Sequence, residues 1–441
     1  MTLALGQRVA RLAGLGLGLG LAASAWAAQR FPPPQFETGH TLPATTTPPP
    51  DAFWRDALDV TVLAAALGLA AWLVLRRRSR KAVLGLVIFS LVYFGFWRQG
   101  CVCPIGAIQN VTLALSDPGH TLPLVVGAFF LLPLLATILF GRVFCAGVCP
   151  LGAIQDLVVL KPVTVPRWLD DALGMGAYLY LGGAVLLAAT GSAWIICQFD
   201  PFVGLFRMSG TAVMLGLGAL FLLAGVFLAR PYCRWLCPYG VLLSWIAPGA
   251  LWQAEIDPVG CTRCELCRDG CPVNAIEAPD TATVAATDRR QDRRRMATLL
   301  LIAPLLVGLG LGMGAWLAPT MARADERVRL SDRLVAEDMQ WVQGHTDATQ
   351  AFRSRGESRV ALEAEVQAVK AGFAWGAPIF GGFIGLVLAG KLIQHARRPR
   401  RELYSIDQAR CVACARCFAL CPHHRQGEAM PVQLTHEEAP L

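Results

Sequence analysis

Two short runs of cysteine carry the clearest chemical signal in this sequence. Each run has the spacing C-x2-C-x2-C-x3-C-P, and the cysteines are Cys261, Cys264, Cys267 and Cys271 in one run and Cys411, Cys414, Cys417 and Cys421 in the other. In two-cluster ferredoxins, three thiolates at this spacing bind one [4Fe–4S] cluster and the fourth, before proline, binds the neighbouring cluster. Zinc sites are the alternative, but zinc ribbons use two separated C-x2-C pairs. The predicted ligand sets are Cys261, Cys264, Cys267 and Cys421 for cluster 1, and Cys411, Cys414, Cys417 and Cys271 for cluster 2.

The other seven cysteines form two further groups. Cys145, Cys149, Cys233 and Cys237 belong to two C-x3-C-P motifs, and Cys101, Cys103 and Cys197 form the second group. The first four could bind a further metal centre or act as redox-active dithiols, since a pair of matched motifs is more specific than one buried cysteine. The second group could bind a soft metal such as Cu(I), cycle as a disulfide, or be structural. The sequence contains no Cys-x-x-Cys-His motif, which argues against covalent c-type haem.

The Cys-Pro motifs belong to an internal repeat. Residues 103–110 (CPIGAIQN) are nearly matched by 149–156 (CPLGAIQD), residues 237–242 (CPYGVL) form a looser copy, and 197–202 (CQFDPF) a degenerate one. Repeats of this kind are typical of duplicated helical hairpins that pack around a shared site. Arg98 and Arg142 precede two of the motifs and are most simply predicted to snorkel toward the membrane surface, although either could contact a quinone or an anionic partner.

The elements that must position these motifs are membrane helices. The chain of 441 residues is 55% hydrophobic and 16% charged, whereas a soluble domain is about a quarter charged. Apolar runs near the ~20 residues that span a bilayer occur at about 57–75, 82–98, 122–141, 173–196, 211–229, 297–317 and 372–393. The basic segments 76–81, 288–295 and 395–401 then fall on one side, which is predicted to be cytoplasmic.

This topology predicts where each motif lies. Both ferredoxin-type runs are cytoplasmic, the C-x3-C-P motifs lie at the inner face, and the group of Cys101, Cys103 and Cys197 lies at the outer face. The basic clusters therefore report membrane topology, and no nucleic-acid motif or nucleic-acid partner is expected.

The expected fold class is an all-α polytopic membrane protein with about six or seven transmembrane helices, an N-terminal signal or anchor, and a small α+β two-cluster ferredoxin-like module. Residues 1–28 read as a signal peptide or anchor, 29–56 as a Pro-rich periplasmic linker, and 57–250 as the transmembrane bundle with the repeated Cys-Pro motifs. The two halves of the cytoplasmic ferredoxin module are 255–290 and 402–430. The transmembrane helices 297–317 and 372–393, with a periplasmic helical segment 318–371 between them, join those halves.

Together these motifs resemble the NosR/NapH family of membrane-bound polyferredoxins, over about residues 57–425. A C-x3-C-P pair followed by two ferredoxin runs is common to that family, and residues 97–106 (WRQGCVCPIG) resemble the membrane part of NosR in particular. NosR proteins carry a large periplasmic flavin-binding domain after the first span. Here the short Pro-rich linker takes that place, and no S/T-G-A-T flavinylation motif is present.

The resemblance implies an electron-transfer protein of the bacterial inner membrane, which links the quinone pool or its cytoplasmic clusters to a periplasmic redox enzyme. Nitrous oxide reductase, active in denitrification, is the favoured partner, reached directly or through a flavoprotein or cytochrome. The alternatives are a NapH-type quinol dehydrogenase that feeds periplasmic nitrate reductase, and a maturation factor for a copper enzyme that uses the outer cysteines. No acid–base pair or substrate pocket is evident in the sequence, so no catalytic residue is assigned. We expect an electron-transfer protein or a quinol dehydrogenase subunit rather than a stand-alone enzyme.

Overall fold

The computed structural model describes residues 53–100, 103–160, 162–256, 261–279, 289–396 and 403–427. The predicted signal or anchor at 1–28, most of the linker at 29–56, and Cys101 lie outside the described residues.

Seven apolar helices correspond to the seven predicted apolar runs. Five are long and apolar enough to cross a membrane: α1 (Phe53–Arg77), α2 (Arg80–Trp97), α7 (Arg167–Ala189), α14 (Arg289–Ala322) and α17 (Arg359–Ala396). Two shorter apolar helices are α4 (Leu124–Phe140) and α10 (Ala212–Phe227). The described chain is thus an all-α, multi-pass membrane protein, as the composition predicted.

Short helices carry the Cys-Pro motifs into the bundle. They are α3 (Pro104–Ser116), α5 (Val143–Gly147), α6 (Pro150–Val158), α8 (Ile195–Phe199), α9 (Val203–Phe206), α11 (Pro231–Trp235) and α12 (Pro238–Ile246). Helices α3, α6 and α12 each begin at the proline that follows the motif's last cysteine, where the missing N–H of proline costs no intrahelical hydrogen bond. At 9 to 13 residues they are only about 14 to 20 Å long, too short to cross the ~30 Å hydrocarbon core.

Helices α14 and α17 form a long antiparallel hairpin between the two ferredoxin runs. Their backbones touch at Gly310 and Gly381, because a Cβ added to either glycine would collide with the carbonyl oxygen of the other. Such small-residue contacts are typical of membrane helix pairs. Two short helices, α15 (Glu326–Asp338) and α16 (Asp347–Ser354), connect the long ones at the hairpin's far end.

The two ferredoxin runs meet in one small module. Strand β1 (Ile276–Glu277) pairs antiparallel with β2 (Ser405–Ile406), with Ile276 opposite Ile406. The module's helices are α13 (Leu266–Asp269), α18 (Arg416–Leu420) and α19 (Pro422–Gly427). Segments more than a hundred residues apart in the sequence are therefore joined by backbone hydrogen bonds.

Candidate metal centres

A small cavity in the module is lined by thiols from both ferredoxin runs. Its cysteines are Cys271, Cys411, Cys414 and Cys417. The backbone N–H groups of Ala275 and Ala413 donate to the Sγ atoms of Cys271 and Cys411, at 3.3 and 3.4 Å. Such N–H···S hydrogen bonds favour negative charge on sulfur and tune cluster potentials. The four thiols are those that the sequence groups around cluster 2.

A second cavity lies on the other side of Cys417, which lines both. The other cysteines around it are Cys261, Cys264, Cys267 and Cys421, the set that the sequence groups around cluster 1. Tyr404, whose hydroxyl donates to Glu265 at 2.9 Å, forms part of its wall. His423 and His424 also line this cavity. The fourth cysteine of each run thus lies at the cavity of the other run.

The two C-x3-C-P motifs come together inside the bundle. Cys149 lies within electrostatic range of Cys145, Cys233 and Cys237. Two neutral donors reach the sulfurs, since Gln155 Nε2 donates to Cys233 Sγ at 3.2 Å and the N–H of Gly240 donates to Cys237 Sγ at 3.3 Å. The structure therefore places the four thiols of this inner group near one another.

Two buried arginines accompany the inner group. Arg142 and Arg230 each stand three residues before a C-x3-C-P motif, and only 8% and 3% of their surfaces are exposed. The prediction that Arg142 snorkels is therefore wrong. Its Nη1 donates to Ala409 O in the module at 2.7 Å, its Nη2 lies 3.9 Å from Cys145 Sγ, and its Nε is buried without a hydrogen-bond partner.

Arg230 precedes the motif of Cys233, but its side chain reaches the motif of Cys145. There it donates a hydrogen bond to the backbone oxygen of Cys145. Each arginine also lies beside the glycine of the opposite repeat, Arg142 beside Gly240 and Arg230 beside Gly152. The shared spacing R-x2-C-x3-C-P-x-G in the sequence is the signal that identifies both arginines, and sequence reasoning missed it.

Asp156 forms ion pairs with arginines of the bundle, of a C-x3-C-P motif and of the module. Its carboxylate pairs with Arg80 of α2 at 2.6 Å, with Arg416 of the module at 3.0 Å and with Arg230 at 3.5 Å. A buried carboxylate is stable only when paired and hydrogen-bonded in this way. The module is thus fixed against the inner group rather than tethered loosely to it.

Cys103 and Cys197 lie at a separate cavity of about 270 Å³. Cys103 and Cys197 line it together with Asp200, Arg98 and Arg207. Arg98 is not a simple snorkelling residue, since it pairs at 2.7 Å with the buried carboxylate of Asp59. Cys101 cannot be placed, because it lies outside the described residues.

The inner and outer groups are close to each other. Cys103 lies within electrostatic range of both Cys149 and Cys237. The sequence assigned these groups to opposite membrane faces, but the short helices bring them toward each other inside the bundle.

A large cavity, about 850 Å³, lies between α7, α17 and the module. Trp245, Phe383 and Leu386 line it on the apolar side, and Asp171 and Lys391 line it on the polar side. Its wall also includes Cys233 and Cys237 of the inner group and Val273 and Val412 of the module. The cavity thus adjoins two of the thiol groups.

The thiols fit clusters better than a single ion. No disulfide joins any of the described cysteines, and no three His, Cys, Asp or Glu of the described part are grouped as ligands of a metal ion. A single zinc ion draws all its thiolates to about 2.3 Å from one centre. The thiolates of an iron–sulfur cluster bind different iron atoms across a larger body, so they lie farther apart than the ligands of a single ion.

Comparison with known proteins agrees with this chemistry. Residues 122–168 and 209–252 match a family model described as a 4Fe-4S binding domain. Those ranges contain all four cysteines of the inner group and neither ferredoxin run.

Relatives align with about half of the chain. Regulatory protein NosR of Pseudomonas aeruginosa is 29% identical over 249 residues, which are 50% of this chain and 33% of NosR. Ferredoxin-type protein NapH of Escherichia coli is 28% identical over 237 residues, 47% of this chain and 77% of NapH. The chain is thus similar to membrane polyferredoxins of the NosR/NapH type. It is also similar to the putative electron transport protein YccM of Escherichia coli, with 26% identity over 234 residues, 45% of this chain and 65% of YccM.

The chain therefore spans less than two thirds of YccM and a third of NosR. No solved structure matches it.

Proposed function

We propose that the chain is a membrane-bound electron-transfer protein that links two [4Fe–4S] clusters in a cytoplasmic module to an acceptor across the bacterial inner membrane. One observation carries this proposal: the inner thiol group and a module cavity share a wall. Cys145 of the inner group packs against the same buried residues, Val273, Ala275 and Val412, as Cys271 and Cys411 of the module. Electron carriers in such close succession allow electrons to pass from one to the next.

The module supplies the first carriers. We infer that Cys261, Cys264, Cys267 and Cys421 hold cluster 1, and that Cys411, Cys414, Cys417 and Cys271 hold cluster 2. A bound [4Fe–4S] cluster takes up and releases one electron at a time. The residues' own contribution is to hold thiolates in place and stabilise their charge through backbone N–H groups. The basic residues that follow α1 support a cytoplasmic location for this module.

The inner group would hold a third iron–sulfur cluster. Cys145, Cys149, Cys233 and Cys237 supply four thiols, and a cluster bound to four thiolates is negatively charged overall. Burying that charge requires positive partners. The guanidinium groups of Arg142 and Arg230 are buried beside the thiols, and Arg142 Nε has no hydrogen-bond partner. This arrangement supports a negatively charged cofactor better than a set of structural thiols.

We further propose that the large cavity binds the head group of a quinone, which exchanges electrons with these centres. Its mixed lining suits a ligand with an apolar ring and tail and two polar oxygens. Arg234 lines it, with a side chain only 8% exposed and an Nη1 atom that has no hydrogen-bond partner. An unpaired buried donor is costly, and a quinone oxygen would satisfy it.

The acceptor is proposed from family likeness. The resemblance to the membrane part of NosR favours a partnership with periplasmic nitrous oxide reductase, directly or through a flavoprotein or cytochrome. The similarity to NapH supports the alternative, a quinol dehydrogenase subunit for periplasmic nitrate reductase.

Liposomes that contain the purified, cluster-loaded chain would test the transfer. With quinol or dithionite outside and ferricyanide trapped inside, we expect the chain to reduce ferricyanide faster than empty liposomes do. Cys149→Ser with Cys237→Ser should abolish this transfer while dithionite still bleaches the module's clusters. If the double variant transfers electrons as fast as the unaltered chain, the inner group is not the relay.

A further inference from the structure

The outer cavity is built on the same plan as the inner thiol group. Both repeats of the CP-x-G-x-x-Q sequence place a glutamine against the facing motif. In the inner group, Gln155 Oε1 accepts from the N–H of Tyr232 at 3.1 Å, and in the outer group, Gln109 Oε1 accepts from the N–H of Ile196 at 3.0 Å. Tyr232 and Ile196 each directly precede a cysteine of the facing motif. This shared contact aligns Cys197 with Cys233.

Two residues separate Cys197 from Asp200 and three separate Cys233 from Cys237, so Asp200 matches Cys237 by its place before a proline and not by an equal spacing. Both residues directly precede a proline, and both cap the helical turn that follows. Cys237 Sγ accepts from the N–H of Gly240, three residues on, and Asp200 Oδ1 accepts from the N–H of Val203, also three residues on, at 3.1 Å. Asp200 is only 2% exposed and lines the outer cavity. A buried carboxylate therefore occupies the position that a thiol ligand has in the inner group.

The outer cavity brings this carboxylate to its thiols. Cys103 interacts electrostatically with both Asp200 and Cys197, and a Cβ added to Gly106 would lie 3.7 Å from Cys197 Sγ. Arg98 and Arg207 line the same cavity, as Arg142 and Arg230 accompany the inner thiols. The outer cavity is thus lined by two thiols, two guanidinium groups and the carboxylates of Asp200 and Asp56.

We propose that Cys103, Cys197 and Asp200 bind a further iron–sulfur cluster, the counterpart of the inner one. Carboxylate oxygen is a ligand that iron accepts and that Cu(I), which prefers thiolate and thioether sulfur, does not favour. The inference extends the proposed function, because a cluster at this point would lengthen the relay beyond the inner group. Cys101 lies outside the described residues and carries no part of the assignment.

Metal content and spectra of the anaerobically purified full chain would test the assignment. We expect Cys103→Ser with Cys197→Ser to lower iron and acid-labile sulfide by the content of one cluster. Asp200→Cys should keep the metal content and shift one EPR signal to a lower midpoint potential, since a thiolate donates more charge to iron than a carboxylate does. Asp117→Asn is the matched control, because Asp117 caps Gly119 on the exposed end of α3 and should change neither readout.

The spectra of the module's clusters show in each sample that the variant has folded. The assignment is overturned if both outer-group variants keep the iron content and every signal of the unaltered chain. It is also overturned if the cavity holds copper instead of iron, or if intact-mass analysis shows Cys103 and Cys197 joined as a disulfide. Cys149→Ser with Cys237→Ser tests the inner group separately. Loss of iron in the outer variant alone would support the outer cluster and contradict the inner relay.

Discussion

At the residue scale, the position of Cys271 and Cys421 decides how the module is assembled. Each ends one ferredoxin run but lines the cavity of the other run. Because the runs lie on opposite sides of the α14–α17 hairpin in the sequence, neither cavity is complete until the hairpin has formed. We therefore expect cluster binding at the proposed sites to be coupled to folding of the membrane part, as metal binding often is to folding.

This exchange of ligands gives a direct prediction. We expect Cys271→Ser to perturb the same EPR signal as Cys414→Ser, and Cys421→Ser to perturb the same signal as Cys264→Ser, because each pair lines one cavity. EPR of the reduced, full-length variants measures this. If Cys271→Ser and Cys264→Ser affect one common signal, each run binds its own cluster and the exchange is wrong.

Sequence reasoning reached the cysteines but missed most of their partners. The C-x2-C-x2-C-x3-C-P spacing by itself indicates which cysteines are the proposed ligands, since cluster geometry fixes the separation of the thiols. Asp156 and Asp200 carry no such local pattern. Their roles depend on which buried group faces them across the bundle, and only the folded structure supplies that information.

At the scale of elements, the α14–α17 hairpin is held by a close backbone contact. Gly310 lies against Gly381, whereas the neighbouring Gly312 has no atom within 4 Å of an added Cβ. We expect Gly310→Leu to force the helices apart and cost at least ~1–3 kcal/mol, the usual cost of overpacking. Gly312→Leu should cost little. Thermal unfolding of the purified variants in detergent measures both, and equal unfolding temperatures for the two variants would contradict this packing.

The α15–α16 segment has a buried acid of its own. Glu337 accepts a hydrogen bond from His345, and others from Thr349, Arg333 and Arg353. Burial raises the pKa of this carboxyl, but the hydrogen bonds lower it by more. The pKa of Glu337 therefore falls from 4.5 to about 2. Since the folded-state pKa lies below the unfolded value, its charge contributes stability above about pH 4.5 that is lost as the pH falls toward about 2.

Hydrogen exchange of the full chain tests this contribution. We expect peptides from α15 and α16 to lose protection as the pH falls from about 4.5 to about 2. Glu337→Gln should lower their protection at neutral pH and remove most of this pH dependence. Glu326→Gln is the control, since the side chain of Glu326 is 89% exposed. Unchanged protection in Glu337→Gln would show that this network contributes nothing to stability.

The positions of the apolar helices in the sequence were predictable. The lengths of the helices, and the depth at which the short ones lie in the bundle, were not. Each of the seven apolar runs became a helix, because ~20 apolar residues can satisfy their backbone in a membrane only in that way. Helix α17, however, begins at Arg359 and ends at Ala396, well beyond the apolar run at 372–393. The short α6 and α12 were missed as well, because a Cys-Pro step marks where a helix begins but not how far into the bundle it lies.

At the scale of the whole molecule, ion pairs beside the large cavity hold the module against the bundle. Arg410 of the module pairs with Asp170 at 3.0 Å and with Asp171 at 2.8 Å, both on α7. Lys391 of α17 also reaches Asp171, at 3.1 Å. The bundle, the hairpin and the module thus meet at one place. The large cavity lies there, and residues from all three parts form its wall.

The large cavity at this junction is the proposed point at which quinol delivers electrons to the protein. Gly390 lines the cavity, and no atom lies within 4 Å of a Cβ added there, so Gly390→Phe should fill space without displacing the backbone. We expect at least a tenfold slower reduction of the clusters by quinol, since the ring would occupy the proposed head-group site. Reduction by dithionite, which needs no such site, should be unchanged.

Gly308→Phe provides the matched control, because Gly308 also has open space around an added Cβ but does not line the cavity. Stopped-flow bleaching of the cluster absorbance measures both reductants on both variants. Slower bleaching by quinol in Gly390→Phe alone places quinol entry between the hairpin and the bundle, beside Cys233 and Cys237. Equal quinol rates in both variants would exclude this cavity as the entry point and leave the module's surface as the place where electrons arrive.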